Sequence, residues 1–220
     1  MKARKRTARP PNVTASGRAS ATTTQEPSDA PTDEPTDTPE PTDTPAPTAL
    51  PAVDLSGVGQ TATESVTPPA AVSVITLTHS GQSNFIVKSF RGSDEDLLVN
   101  EIGNYSGSRP LFGDEPIVFD VNADGPWTIH IEAISAASGA AFSGTGDAVS
   151  GLITDTPDNG GWNISHDGQD NFIVYLHCAD GSDLVQNEIG AVSGSTIVSF
   201  GDSPCLWEIE ADGNWSLAPQ

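Results

Sequence analysis

The sequence predicts an all-β fold: two tandem antiparallel β-sandwich domains, jelly-roll or immunoglobulin-like, after a disordered N-terminal segment. Three observations predict it. A long stretch occurs twice, apolar residues alternate with polar ones at period two, and Gly and Asp-Gly turns punctuate the runs.

The repeated stretch is His79-Ser-Gly-Gln-Ser-Asn-Phe-Ile-Val87, which returns as His166-Asp-Gly-Gln-Asp-Asn-Phe-Ile-Val174 at an offset of 87 residues. Asn100-Glu-Ile-Gly103 and Asn187-Glu-Ile-Gly190 keep that offset, as do Leu55-Ser-Gly-Val-Gly59 and Phe142-Ser-Gly-Thr-Gly146. One inserted residue then raises the offset to 88, where Ala123-Asp-Gly-Pro-Trp127 matches Ala211-Asp-Gly-Asn-Trp215. That period exceeds the roughly 20 to 50 residues of solenoid repeats, so the copies are tandem domains. The division is leader and stalk at 1–54, first repeat at 55–134, linker at 135–141 and second repeat at 142–220.

In chain order, residues 1–10 are basic, like the start of a secretory signal, but no apolar run follows. The readings are a targeting segment lying upstream, a misplaced start, or a cytosolic protein; the leader's composition argues against the last. Residues 22–51 are Thr, Pro, Asp and Glu in a loose Pro-Thr-Asp pattern. Too little there is apolar to offset the entropy of ordering, and proline with like charges extends the chain. It reads as a spacer, in the style of O-glycosylated stalks.

Beyond Leu55, short strands are expected. Ile75, Leu77 and His79 share a phase, as do Trp162, Ile164 and His166. Phe85-Ile-Val87, Phe172-to-Cys178, Ile117/Phe119/Val121, Trp127/Ile129/Ile131 and Trp207/Ile209/Ala211 follow the same alternation. Six or seven strands per copy result, enough for a sandwich. By this phase Trp162 and Trp207 belong to the core, while Tyr175 is out of phase. No run of about 18 apolar residues exists to span a membrane.

The net charge of −21 is unevenly spread. Residues 51–220 hold only Lys88, Arg91 and Arg109 against 23 Asp and Glu. Phosphate-rich partners need cations to neutralise them, so nucleic acid and anionic membrane surfaces are excluded. Cations, neutral polymers, and cell-surface glycans or proteins fit. Acid-rich, Lys-poor surfaces also resemble those of halophilic proteins; an ordinary acidic surface protein is the alternative. Oligomeric state is not encoded in any of these features.

Cys178 and Cys205 both lie in the second copy, opposite Arg91 and Ile117 of the first. Their spacing fits no zinc or redox motif. Both share the inward strand phase, so they can bond if their Cα atoms lie within about 4.4 to 6.8 Å. A bond implies an oxidising compartment; two unrelated buried thiols are the alternative.

His79/His166, Asn84/Asn171, Asn100/Asn187 and Glu101/Glu188 are the repeated polar residues. They could converge on a metal or a sugar. The preferred reading is structural: Asn84 and Asn171 as Asx turns bonding local backbone, and Asn-Glu-Ile-Gly as a strand end bent at glycine. Trp127 and Trp215 read as core anchors. Asp94, Asp96, Asp180 and Asp183 lie in acidic loops whose oxygens suit Ca²⁺, but without EF-hand or nonapeptide spacing; solvated turn carboxylates are preferred, and no cofactor is assigned. Catalytic motifs such as Gly-x-Ser-x-Gly and His-Glu-x-x-His are missing from the sequence, so no enzyme is expected.

The His-x-Gly-x-x-Asn-Phe-Ile-Val, Asn-Glu-Ile-Gly and Ala-Asp-Gly-x-Trp motifs resemble a repeat of secreted and surface-anchored prokaryotic proteins, notably of halophilic archaea and actinobacteria. The resemblance covers 55–134 and 142–219. It implies an extracytoplasmic β-sandwich and says little about activity. The functional expectation is a non-catalytic extracellular or cell-surface module, acting in interaction or as a spacer. A Ca²⁺-dependent or lectin-like carbohydrate-binding module is the alternative.

Overall fold

The structure, a computed structural model, describes residues 50–220. The leader and nearly all of the stalk, expected to be disordered, fall outside the described residues. Every regular element described is a strand, and no described helix is long and apolar enough to cross a membrane.

The first repeat holds β1 (Val53–Val58), β2 (Thr61–Ala62), β3 (Val72–His79), β4 (Asn84–Arg91), β5 (Asp94–Ile102), β6 (Tyr105–Phe112), β7 (Val118–Asn122) and β8 (Pro126–Ala133). The second holds β9 (Phe142–Thr145), β10 (Ala148–Val149), β11 (Gly160–His166), β12 (Asn171–Cys178), β13 (Gly181–Ile189), β14 (Val192–Val198), β15 (Cys205–Glu210) and β16 (Asn214–Pro219). Each copy therefore has eight strands, not six or seven. The additional ones include β2 and β10, two residues each and too short to show a period.

The sheets run β1-β8-β3-β6 and β2-β7-β4-β5 in the first copy. In the second they run β9-β16-β11-β14 and β10-β15-β12-β13, the same order strand for strand. Strands pair antiparallel as 1 with 8, 2 with 7, 3 with 6 and 4 with 5, so each copy is a long hairpin rolled up around its β4–β5 tip. That is jelly-roll rather than immunoglobulin topology. A register shift falls between Val87 and Lys88 in one copy and between Val174 and Tyr175 in the other, the same position of the repeat.

Period-two burial fills the space between sheets. Ile75, Leu77, Phe85, Val87, Phe119, Ile129 and Ile131 form the first core around Trp127. Trp162, Ile164, Phe172, Leu176, Trp207 and Leu217 form the second around Trp215. Both copies belong to one compact unit. The linker packs on the second copy: Ala136 bridges Leu152, and the Trp207 indole donates to the Ala140 carbonyl at 2.8 Å.

Candidate functional site

The repeated residues meet at one end of each sandwich, where three turns converge. His79 ends β3 and is buried, its ring stacked on Phe85 with centroids 4.6 Å apart. Its Nδ1 donates to the Gly103 carbonyl at 2.7 Å. Its Nε2 lies 3.3 Å from Asp124 Oδ1 but off line for a hydrogen bond. Gly103 stands at φ 89°, a left-handed conformation that favours glycine and turns its carbonyl to the ring. A Cβ on Gly81 would strike both His79 and Asp124. The second copy repeats this with His166 and Gly190 at 2.9 Å, and with Asp212 at 3.2 Å.

Asp124 holds the turn after His79: its Oδ2 accepts from the N–H groups of Gln82 at 2.9 Å and Ser83 at 3.1 Å. Those bonds, the Gln82 one foremost, hold its carboxyl below the usual carboxylate range. Asp212 is lowered in the same way, first by the Gln169 N–H. This corrects the Asx-turn role expected for Asn84 and Asn171. Both are exposed at strand starts, and neither side chain has a hydrogen bond among the described residues. The carboxylate that caps each turn comes from the distant Asp-Gly turn instead.

The indoles close the same end. Trp127 Nε1 donates to the Gly59 carbonyl at 3.0 Å and Trp215 Nε1 to Gly146 at 2.8 Å. A Cβ on Gly57 or Gly144 would collide with the rings. The Ser-Gly-x-Gly repeat is thus a seat for tryptophan.

The other expected residues stay apart. Asp94 and Asp96 lie on β5 opposite Arg91 and Ser89, and Asp183 lies on β13 opposite Leu176, all exposed. Asp180 accepts from the Asp202 N–H at 2.9 Å. Among the described residues no three His, Cys, Asp or Glu side chains group in a way that could hold a metal ion. Asn100 and Asn187 are exposed, as is Glu188. Cys178 is bonded to Cys205, with Cα atoms 4.0 Å apart. That is shorter than the expected window because the two residues face each other directly in the β12–β15 register. Arg91, in the place of Cys178, donates instead to the carbonyls of Phe112 and Gly113.

Sequence reasoning missed a second cluster, at the junction of the copies. Arg109 on β6 is 9% exposed. It donates to the Leu98 carbonyl at 3.2 Å and to Asp147 at 3.0 Å, and lies 3.4 Å from Glu210 and 3.8 Å from Glu208. Tyr105 donates to the same Asp147 oxygen at 2.8 Å. Asp147 in turn accepts from the Ala211 N–H at 2.9 Å. Burial opposes the Arg109 charge, but Asp147, then Glu210, outweigh it and hold its pKa above the ordinary value. Burial raises Glu210, with Arg109 pulling the other way. Loss of water on its inner side, then Asp147, raises Glu101 at the rim. Burial, then Asp147, keeps the Tyr105 phenol protonated well beyond its usual range. The one available signal was compositional: no Lys or Arg follows Arg109, so it is the last cation before an entirely acidic copy.

Beside this cluster lies an open cleft of about 600 Å³ lined by Glu101, Tyr105, Arg109, Asp147, Glu210 and Asp212, among others. Its chemistry is that of a polar, net negative groove. No protein-family model matches the chain, and no curated protein matches it either.

Proposed function

We propose that the two sandwiches are a non-catalytic spacer or interaction module displayed outside the cytoplasm. One observation carries this: the repeated polar side chains with recorded bonds spend them on their own turns. His79, Asp124, His166 and Asp212 each bond backbone of these turns, and the described residues show no convergent donor set for a substrate. The aromatics argue the same way. Trp127, Trp162, Trp207 and Trp215 are all 3% exposed or less, so they offer no flat row for sugar stacking. Tyr175 is half-buried against His177.

The disulfide supports an oxidising compartment, and the resemblance to surface-anchored repeats supports the same address. The acidic balance argues against nucleic acid. The polar cleft at the junction is the observation on the side of a second reading, a Ca²⁺-dependent or lectin-like carbohydrate-binding module, although among the described residues the carboxylates lining it do not group as a metal site. Amide chemical shifts of the ¹⁵N-labelled chain, followed through a Ca²⁺ titration and a glycan panel, separate the two. The spacer reading expects no saturable shift. Saturable shifts confined to residues around the cleft would replace it with the carbohydrate-binding reading.

A further inference from the structure

The junction between the copies joins unlike surfaces: the β6 edge of the first meets the β10 edge of the second. Each copy carries a version of both surfaces. One of each is therefore left over in the described unit. The free counterpart of β6 is β14, and the free counterpart of β10 is β2; both are edge strands.

We infer that β14 of one chain docks on β2 of a second copy, repeating the internal junction head to tail. This partner rests on the spacer reading and extends it. The backbone part of the junction is preserved. The Ser108 N–H donates to the Asp147 carbonyl at 3.2 Å, and Ser108 Oγ accepts from the Val149 N–H at 3.1 Å. The corresponding groups at the free surfaces are the Ser195 N–H and Oγ, the Gln60 carbonyl and the Ala62 N–H. None has been lost to proline or to a side chain without a hydroxyl.

The charged part is removed from both surfaces together. Thr196 stands where Arg109 does, Val192 for Tyr105, Gln60 for Asp147 and Asn122 for Glu210. Had only one surface changed, a charge would be buried against nothing, which is strongly unfavourable. Asp120 remains in the place of Glu208, within the field of Lys88. The matched change also keeps the junctions apart, because a Thr196 surface cannot replace Arg109 among the carboxylates.

Charge favours the β14 surface. From Ile189 to Gly201 the chain has no ionisable side chain, and Ile197 on β14 is 73% exposed. On so acidic a body this is where a like-charged copy can approach, more readily in salt. A contact between unlike surfaces that does not close produces an open series.

Sedimentation velocity of the full chain in molar NaCl, over a concentration series, tests this. The expected result is mass growing past the dimer. Ile197→Glu and Ala62→Glu, both at exposed positions, each give monomers, while their equimolar mixture stops at a dimer because each supplies the surface the other lacks. A wild-type chain that stays monomeric throughout overturns the inference, as does a mixture that remains monomeric while the wild type associates. Monomers that also show no glycan or Ca²⁺ shifts would remove the partner and leave the spacer reading standing.

Discussion

The first and second copies share every strand, the bulge position and the three-turn lock, yet they are reinforced differently. The second has a disulfide between β12 and β15. The first has Ile117 in one cysteine's place, and in the other's place Arg91, which reaches the Phe112 and Gly113 carbonyls at the end of β6. What both keep is what has no substitute: glycines at positive φ, glycines beneath an indole, and a carboxylate across the turn after histidine. Reinforcement can be exchanged, because several chemistries can hold two strands together. Backbone geometry cannot.

The tryptophans should give the largest effect. Trp127→Ala and Trp215→Ala should each cost about 4 kcal/mol by urea unfolding, and by similar amounts, since each indole has the same seat. Strongly unequal losses would break the equivalence of the copies. Next comes the disulfide, which differs between them. Cys178→Ser with Cys205→Ser should destabilise the second copy by about 3.5 kcal/mol in the chain-entropy model for the 27-residue separation. Calorimetry should show the single wild-type transition moved down as one, because the Arg109 junction still couples the copies. Arg109→Met should follow at about 3 kcal/mol, because it leaves Asp147, Glu208 and Glu210 without their cation. Its signature is a splitting of one calorimetric transition into two.

The pH dependence is smaller and should be common to both copies. Asp124 and Asp212 have folded pKa values below the unfolded value of about 3.9. Their contribution is present in full above that value and is lost as pH falls through the lower folded one. Acid unfolding should therefore begin below about pH 4. Asp124→Asn should lower stability at pH 7 and flatten the acid limb; an unchanged limb would remove the turn from the account. Smallest is salt. The melting temperature should rise from low to molar NaCl as repulsion among 23 carboxylates is screened. A flat profile would count against a halophilic surface.

Much of the fold was legible because turns constrain residue type. Gly103 and Gly190 at positive φ, and the Asp-Gly pairs before Trp127 and Trp215, recur at fixed offsets and mark both copies. Strand phase placed Trp162 and Trp207 inside. Strands β2 and β10 were illegible because two residues have no period. The partner of the turn after His79 was illegible because an Asx turn is a local inference, whereas Asp124 arrives from 42 residues away. The junction was hidden most deeply. Arg109 and Glu210 are ordinary surface residue types in isolation, and only folding brings them within 3.4 Å.

The central claim is that the two copies, alike in their turns, are held as one unit by the Arg109 junction. Backbone ¹⁵N relaxation of the full chain tests it most directly. The account predicts a single rotational correlation time for amides of β1–β8 and β9–β16, separating into two in Arg109→Met. Two different correlation times in the wild-type chain would contradict it.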